Sequence, residues 1–546
     1  MTSTTNNNDI FKFTNYLPRK LTPEQNTQRK LLSKEGEEYI EWPDLLHLKA
    51  SVDYDVFGKK IGALYLKKEG ISPCFTFGWK IQGTHIYDLA RQITGFYDSW
   101  VSGLRGAFPF HLTWKIHAGT RQSSVERVID LSQLLATCEN EAIAQIVMDE
   151  IASVQELTKD RKRKDRFIHL YATYWSGRDK SLADVEDKIE GYLKAAFGLV
   201  EFAKTSVSTA LDAVLGSTID TVSNRGAQRA AQQMEALFKG AHSGGHQAVS
   251  NVLCERMGLI AKPMTHDEIL ANLRARFSGD EAGQSPNKIN CVIDDRGVQL
   301  SEEIHGQHIA NWLPKDGPID LGDAGVSIKR WNPETEEIET DFIAVLEARK
   351  KVEGWKHEFN QLYSMWESLQ SSANHDVEFF IDLSGANRKI IKEHAGENYK
   401  QSRKRAEKAA RTRDFSATAN RGINESASAL TDLDSAETVV KAAFVVLVHA
   451  KSISALDLAC RNFQSDFRVM PLEREFRVSQ MVWLQTLPCQ VSEMLKLTAF
   501  PSFSKNVTPI ESDFRHVHTC TQAIGFLPFA TTLKNDKNGI ELISRD

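Results

Sequence analysis

The most apolar run of the chain, from Ala442 to Val448, is only seven residues long and is bounded by Lys441 and His449. A helix that crosses a bilayer needs about 20 apolar residues, so this run is too short to span a membrane. Short continuous apolar runs are typical of strands buried within a sheet, and residues 439–448 are rich in β-branched side chains. The sequence therefore predicts a protein organised around a buried β-sheet.

Two regions with alternating strand and helix patterns lie on either side of a helical middle. In the first region, apolar residues recur every three or four positions from Ile86 to Leu104, which predicts an amphipathic helix. Residues from Phe110 to His117 alternate between apolar and polar, which predicts a half-buried strand. The second region repeats the theme, with strands predicted at 342–346, 377–383 and 439–448. The predicted fold class is mixed α/β (α+β), with two small ferredoxin-like regions separated by a long helical segment.

The composition along the chain suggests where these segments begin and end. Thr265 and Glu268 predict a capping box before a helix that ends at Phe277, and a Gly-, Ser- and Asp-rich stretch follows. Apolar spacing predicts a further helix from Trp355 to Leu369. We expect a flexible arm over 1–35, a first α/β domain over 36–120, a mainly helical segment over 121–277, a linker over 278–300, a second α/β domain with a long helix over 301–475, and a C-terminal segment over 476–546.

Charge and cysteine content narrow the class of protein. The 546 residues carry 67 basic and 72 acidic side chains, and this net charge of -5 argues against a general polyanion binder. The seven cysteines are scattered singly with no CxxC pair, so we expect reduced thiols and no disulfide framework. The polar N-terminus, MTSTTNNND, lacks the apolar core of a signal peptide. We therefore expect a cytoplasmic protein, at most peripheral to the inner membrane.

Motifs for common chemistries are missing from the sequence. The phosphate loop GxxxxGK[ST] is absent, and so are GxGxxG after a strand, GxSxG and HExxH. A phosphate-loop ATPase needs the backbone cradle that those glycines form. The sequence therefore predicts a protein that is not an enzyme and holds no cofactor, so that any ATPase activity comes from a partner chain.

Two weak patterns leave a metal-dependent enzyme open as an alternative. His242 and His246 flank a Ser-Gly-Gly turn, and a second histidine pair occurs in HGQH at 305–308; a fold that joined the two pairs could ligate a metal. Asp341, Glu347 and Lys350 resemble the acidic-plus-lysine sets of metal nucleases, although the spacing differs. The more ordinary interpretation of both patterns is a set of plain loops and a solvated helix start. We assign no metal site.

Two basic segments, Lys159 to Arg166 and Lys400 to Arg413, carry charges that could contact nucleic acid or anionic lipid. Neither has the interleaved aromatic residues of a single-strand stacking platform, so a solvated helix face is the simpler interpretation. A helical scaffold that binds partners through residues 181–260 and 387–433 is a further alternative. The candidate contact residues of the second segment are Arg403, Lys404, Arg405, Lys408, Arg411 and Arg413.

The order of elements in the C-terminal third resembles a known family. A predicted strand over 434–448 is followed by a helix over 452–467, then by WLQTLP at 483–488 and TCTQAIGFLP at 519–528. This order is similar to the N-terminal, non-motor region of the TraC/TrbE-like, VirB-type assembly ATPases of type IV secretion and conjugation. The positions that carry the resemblance are Trp483, Leu487, Pro488, Thr519, Leu527 and Pro528.

The resemblance implies a role in assembly without a motor. In that family a nucleotide-binding motor follows this region, whereas here the sequence ends at Asp546. None of the family's catalytic residues has a position here onto which it could be carried. The resemblance therefore implies a non-catalytic component of a conjugative or type IV secretion apparatus, with self-association. Its implied partners are a separate phosphate-loop ATPase and channel proteins.

Overall fold

The alternating and continuously apolar segments pair into one large sheet, and helices pack against it. The computed structural model describes isolated residues between 420 and 431 together with residues 45–67, 73–82, 84–108, 112–121, 125–159, 165–176, 234–277, 285–295, 297–305, 308–313, 317–322, 324–332, 337–348, 376–386, 388–411, 438–467, 470–475, 479–491, 516–525 and 527–531.

Fifteen strands form this mixed sheet, and two short strands pair separately. In chain order the strands are β1 Leu48–Val56, β2 Lys59–Leu66, β3 Cys74–Gln82, β4 Thr84–His85, β5 Leu112–Arg121, β6 Asp165–Trp175, β7 Ile260–Pro263, β8 Lys288–Asp294, β9 Gly297–Glu303, β10 Ile319–Gly322, β11 Gly325–Asn332, β12 Glu337–Glu347, β13 Asp376–Gly385, β14 Val439–Ala450, β15 Glu473–Arg474, β16 His516–Thr519 and β17 Ala530–Thr531.

The main path of the sheet runs β10-β11-β12-β14-β13-β5-β6-β3-β2-β1-β8-β9. This path contains two units with the same topology: β1-β2-β3-β6-β5 and β10-β11-β12-β14-β13. In each unit, three strands that follow one another in sequence are joined as hairpins. A helical segment, which we call the helical excursion, connects the two remaining strands. The later of these two strands pairs with the third hairpin strand, and the earlier one lies beyond it. The three-stranded start distinguishes the units from a simple ferredoxin-like arrangement, while the predicted mixed α/β class is confirmed.

The two units are joined edge to edge by antiparallel pairing of β5 with β13. Ile116 lies opposite Ile381 at the middle of this ladder, and His117 lies opposite Phe380. The inner strand of each unit, β5 or β13, therefore lies in the centre of the sheet. The other strands of the two units extend from this junction to opposite sides. Residues about 265 positions apart in sequence are neighbours here.

The helices lie on both faces of the sheet and at its ends. They are α1 Ile86–Ala107, α2 Val125–Thr137, α3 Glu141–Lys159, α4 His266–Phe277, α5 Arg388–Arg411, α6 Ile453–Asp466, α7 Ser479–Gln485 and α8 Cys520–Ile524. A helical segment over 234–256 contains two π-helical stretches, Ala241–Gln247 and Val252–Arg256. No helix among the described residues is both long enough and apolar enough to cross a membrane.

Both faces of the sheet are covered, so the molecule has two main cores. Helix α1, the segment 234–256, α6 and α8 cover the first face, where the largest buried side chains include Trp79, Trp100 and Trp114. Helices α4 and α7 cover the second face, where Trp483 packs edge-on against Phe277. The tilted and T-shaped aromatic pairs of these cores favour one packing arrangement over others.

Several predicted elements are confirmed and others need correction. Helix α1, strand β13 and the Thr265–Glu268 capping box are present, with the Thr265 amide donating to Glu268 Oε2 at 2.8 Å. The predicted linker over 278–300 is wrong from Lys288 onward, because β8 pairs in parallel with β1. Strand β5 is not half-buried, because α4 and the segment after α7 cover the side of it that the alternation assigned to solvent.

Some expectations fall on residues that the structure does not describe. These are the arm over 1–35, the helix over 355–369 and residues 181–233 of the helical segment predicted over 181–260. All seven cysteines are described and free; Cys254 is exposed, Cys138 is partly exposed, and the other five are buried.

Candidate functional site

A buried ionic cluster lies on the second face of the sheet, where the two units meet. Side chains on a strand alternate between faces, so the registers of β5, β13, β14 and β12 place His117, Glu378, His449 and Asp341 on the same face. All of them are buried or nearly so. Charged groups at such depth are stable only when they pair with one another or accept several hydrogen bonds.

His449 is held between two carboxylates. Its Nδ1 lies 2.9 Å from Asp341 Oδ2, and its Nε2 lies 3.7 Å from Glu378 Oε2. Burial alone would lower the pKa of His449, but the two carboxylates outweigh burial and raise that pKa to about 9. His449 is therefore an imidazolium at neutral pH, and it links β12 to β13 across β14.

Glu378 is the acceptor shared by both units. His117 Nε2 of the first unit lies 3.5 Å from its Oε1, and Arg276 Nη1 at the end of α4 lies 3.7 Å from its Oε2. Burial on its own would raise the pKa of Glu378, yet Arg276 and His117 outweigh it and hold the pKa well below its usual range. The His117 ring also stacks on Phe380 with 4.3 Å between centroids.

Two arginines close the cluster from the side of α4. Arg276 lies over the Phe380 ring, 4.5 Å from its centroid, and donates to Thr486 Oγ1 at 2.8 Å. Arg330 of β11 lies 3.5 Å from Asp341 Oδ2 and donates to the carbonyl of Arg276. Burial would raise the pKa of Asp341, but His449 and Arg330 together lower it. The cluster therefore ties α4 to strands of both units.

The WLQTLP segment, residues 483–488, covers the β5–β13 junction on this face of the sheet, and we call it the lid. Lys115 of β5 donates from Nζ to the carbonyl oxygens of Leu487 at 2.7 Å and Gln490 at 3.0 Å. Gln485 donates to Asp382 of β13 at 3.3 Å. Both carbonyls lie in the turn that follows α7, and buried backbone carbonyls need a donor, which Lys115 supplies. The lid thus bonds to one strand of each unit.

The remaining resemblance positions have structural roles. Trp483 and Leu487 are fully buried, and Pro488 follows in the same segment. Thr519 is the N-cap of α8 and forms a capping box with Gln522. Leu527 is also fully buried; Pro528 comes next, ahead of β17.

The ionic cluster is suited to holding elements together, and its geometry does not favour catalysis. Every carboxylate faces a cation, so neither Asp341 nor Glu378 is positioned as a general base for an external substrate. Among the residues that the structure describes, no three His, Cys, Asp or Glu side chains are grouped to hold a metal ion.

The histidine pairs of the metal hypothesis are not brought together. His242 and His246 lie on the π-helical stretch Ala241–Gln247, where their rings are 5.4 Å apart and His246 stacks on Trp79 of the first core. Burial and the neighbouring His242 lower the pKa of His246 to about 4. His308 instead caps the 3₁₀ helix Ile309–Trp312, which packs in the second core. His305 is exposed, with Nε2 3.7 Å from Glu303.

The acidic set of the nuclease hypothesis is also separated. Asp341 and Glu347 lie six positions apart on β12, which places them roughly 20 Å apart along the strand. Asp341 is already paired with His449 and Arg330. Lys350 lies outside the described residues.

Helices α2 and α3 form a hairpin that extends from the sheet between β5 and β6. Leu131, Val147 and Val154 form its own small apolar cluster, separate from the two main cores. Within the hairpin, buried Arg127 bonds to buried Glu150. Of the eleven large apolar side chains exposed among the described residues, four lie on this hairpin: Ile129, Ile143, Ile146 and Met148.

Helix α5 occupies the equivalent place in the second unit, after β13 and before β14. It contains nine basic and three acidic residues. Arg403, Lys404, Arg405, Lys408 and Arg411 are all exposed, and Arg403 Nε lies 3.0 Å from Glu407 of the same helix. Arg413 and most of the first basic segment, 160–164, lie outside the described residues.

Sequence reasoning missed the ionic cluster. The alternating pattern assigns Lys115 and His117 to the polar half of a strand, and His449 marks only the end of an apolar run. The available signal was the presence of polar residues on central strands of an apolar sheet. Comparison of the chain with protein-family models and with curated proteins finds no match.

Proposed function

We propose that the chain is a non-catalytic component of a conjugative or type IV secretion apparatus that docks to a separate motor or to channel proteins. The observation that carries this proposal is the α2–α3 hairpin, which extends beyond the sheet and exposes apolar side chains. Ile143 and Ile146, one helical turn apart, are 49% and 48% exposed. Exposed apolar side chains that lie close together are typical of surfaces that bind another protein.

The rest of the described chain supports a docking role over catalysis. The ionic cluster is enclosed by α4 and the 483–488 lid, and its charges are paired with one another. The lid segment also contains three of the six positions that resemble the assembly ATPase family. By that resemblance, the chain acts in the cytoplasm at the periphery of the inner membrane, and it self-associates.

The test is affinity capture of the tagged full chain from its native cells, with the co-purifying proteins identified by mass spectrometry. We expect recovery of a separate chain that carries a phosphate-loop motif, together with channel proteins. The variant Ile143→Ser/Ile146→Ser should lose that recovery by about tenfold or more. The matched control is Ile260→Ser/Ile338→Ser, because these two isoleucines are each 67% exposed and lie outside the hairpin. Recovery of the chain alone, or equal loss in the control, would contradict the proposal.

A second measurement tests the non-catalytic part. We expect the purified chain to hydrolyse no ATP, because the sequence lacks GxxxxGK[ST]. Turnover that survives removal of contaminating ATPases would exclude this part of the proposal. Cleavage of nucleic acid that is lost in Glu347→Ala would instead support the metal-dependent enzyme.

A further inference from the structure

The two units carry helical excursions of opposite charge at equivalent places. The hairpin over 125–159, with the turn between its helices, contains seven acidic and two basic residues, for a net charge of -5. Helix α5, over 388–411, contains nine basic and three acidic residues, for a net charge of +6. Two excursions in the same topological position thus differ by about eleven charges within one nearly neutral chain.

The charges form a stripe on each helix. On α3, Glu141, Asp149 and Glu156 are exposed and recur at seven- and eight-residue spacing, so they share one face. On α5, Lys400, Lys404, Lys408 and Arg411 recur at three- and four-residue spacing and are exposed. We call these the acidic stripe and the basic stripe. At 1.5 Å per residue they extend over about 22 Å and about 16 Å.

The antiparallel junction places the stripes at opposite ends of the molecule. The hairpin leaves the sheet after the last residue of β5, and α5 leaves it after the last residue of β13. Because β5 and β13 are antiparallel, those two points lie about 30 Å apart along the strands. One copy therefore presents an acidic stripe at one end and a basic stripe at the other.

We propose that the acidic stripe of one copy binds the basic stripe of a second copy, so that the chain self-associates head to tail. Charge complementarity selects a second copy as the occupant, since each copy supplies both surfaces and the stripes have similar lengths. Such an interface is heterologous, and repeated use generates a ring or an open chain of copies. The proposal deepens the proposed function by naming the self-association surface, and it rests on that function only in treating the chain as part of an assembly.

The test is sedimentation velocity of the purified full chain over a range of salt concentrations. We expect the weight-average mass to fall as NaCl rises from about 50 mM to about 500 mM, because salt screens exposed charges. Two variants each abolish the charge complementarity by reversing one stripe. The acidic-stripe variant is Glu141→Lys/Asp149→Lys/Glu156→Lys, and the basic-stripe variant is Lys400→Glu/Lys404→Glu/Arg411→Glu. Each alone should weaken self-association by about tenfold or more.

Restored assembly in a mixture of the two variants distinguishes loss of the interface from loss of folding. An equimolar mixture of the two reversed variants regains opposite charges at every contact, so the assembled mass should return. A chain that carries both sets of substitutions should also assemble. The matched control for the basic-stripe variant is Lys49→Glu/Lys239→Glu/Arg461→Glu, which changes the net charge by the same amount at exposed sites outside the stripes and should assemble like the original chain.

Several results would overturn the proposal. A wild-type chain whose mass is monomeric at every salt concentration excludes it, and so does failure of the mixture to restore assembly. If the basic-stripe variant keeps its assembled mass but loses retention on phosphatidylserine vesicles or single-stranded DNA, the basic stripe binds a polyanion and the proposal is wrong. This experiment uses purified chain alone, so its outcome is independent of whether affinity capture recovers a motor.

Discussion

His449 donates from Nδ1 to Asp341 Oδ2 at 2.9 Å, and on its other side Nε2 faces Glu378 at 3.7 Å. One ring thus contacts two carboxylates from two strands that flank its own. Together with Arg276 and Arg330, this imidazolium keeps the two carboxylates compatible with burial. The stability of the sheet centre is therefore linked to the protonation of a single residue.

The first prediction concerns pH. Burial opposes the charge on His449, but Asp341 and Glu378 raise its folded pKa to about 9, against an ordinary 6.5. A raised pKa contributes stability that is fully present below about pH 6.5 and is lost as pH rises through 9. We expect the free energy of unfolding to fall by roughly 3 kcal/mol across this interval, from the 2.5-unit difference.

Urea unfolding at pH 6.5 and at pH 9.5 measures this loss. In His449→Asn the dependence in this window should flatten, whereas His305→Asn, which removes an exposed histidine, should leave it unchanged. An equally steep loss in His449→Asn would assign the pH dependence to another group.

The second prediction concerns Arg276, which pairs with Glu378, lies over Phe380 and donates to Thr486. Arg276→Met should cost roughly 3–5 kcal/mol, because it leaves buried Glu378 without a main cation. Arg276→Lys should cost less, since the charge remains while the planar fork is lost. Urea unfolding midpoints measure both, with Arg274→Met, two positions away and partly exposed, as the comparison. A cost for Arg276→Met no larger than that of Arg274→Met would show that Glu378 is neutralised in another way.

The third prediction uses two glycines in the same helix. A Cβ on Gly103 would overlap the Met257 side chain, whereas a Cβ on Gly95 would meet nothing within 4 Å. Gly103→Ala should destabilise the protein by about 1–3 kcal/mol through overpacking. Gly95→Ala should stabilise it by about 0.5–1 kcal/mol, because alanine loses less backbone entropy in a helix. Thermal unfolding of the two variants checks the signs, and equal signs would mean that α1 does not pack on Met257 as described.

The fourth prediction concerns thiol reactivity. Cys254 is exposed and Cys138 is partly exposed, while burial raises the pKa of Cys291 and of Cys489 to about 12. The thiolate is the reactive form, so buried thiols should react slowly. A colorimetric thiol titration should count two fast groups in the native protein and seven in denaturant. Cys254→Ser should remove one fast group; a native count near seven would mean that the cores open readily.

Local patterns predicted the elements well and their partners poorly. The periodicity of α1, the apolar run of β14 and the Thr265–Glu268 capping box are all encoded within a few residues. The pairing of β5 with β13 is not, because a register between strands about 265 positions apart leaves no local signal. The family resemblance likewise indicated only an order of elements. The topology shared by the two units is visible only from the strand pairing.

The candidate site was harder to predict for the same reason. Lys115 and His117 alternate with apolar residues, a pattern that indicates one face in water. Their burial depends on α4 and the 483–488 lid, which are distant in sequence and cover that face. A polar residue on a strand can thus face solvent or form a buried polar contact, and the presence of a covering element decides between the two.

The β5–β13 junction also sets the timing of synthesis. At about 5–20 residues per second, β13 leaves the ribosome roughly 13–50 s after β5, so the first unit spends that interval with β5 as an open edge. Open edges invite pairing with other nascent chains, and charged side chains on an edge strand discourage it. Lys115 and His117, which later bond to the lid and to Glu378, are in position to protect that edge while the ribosome is still translating the second unit.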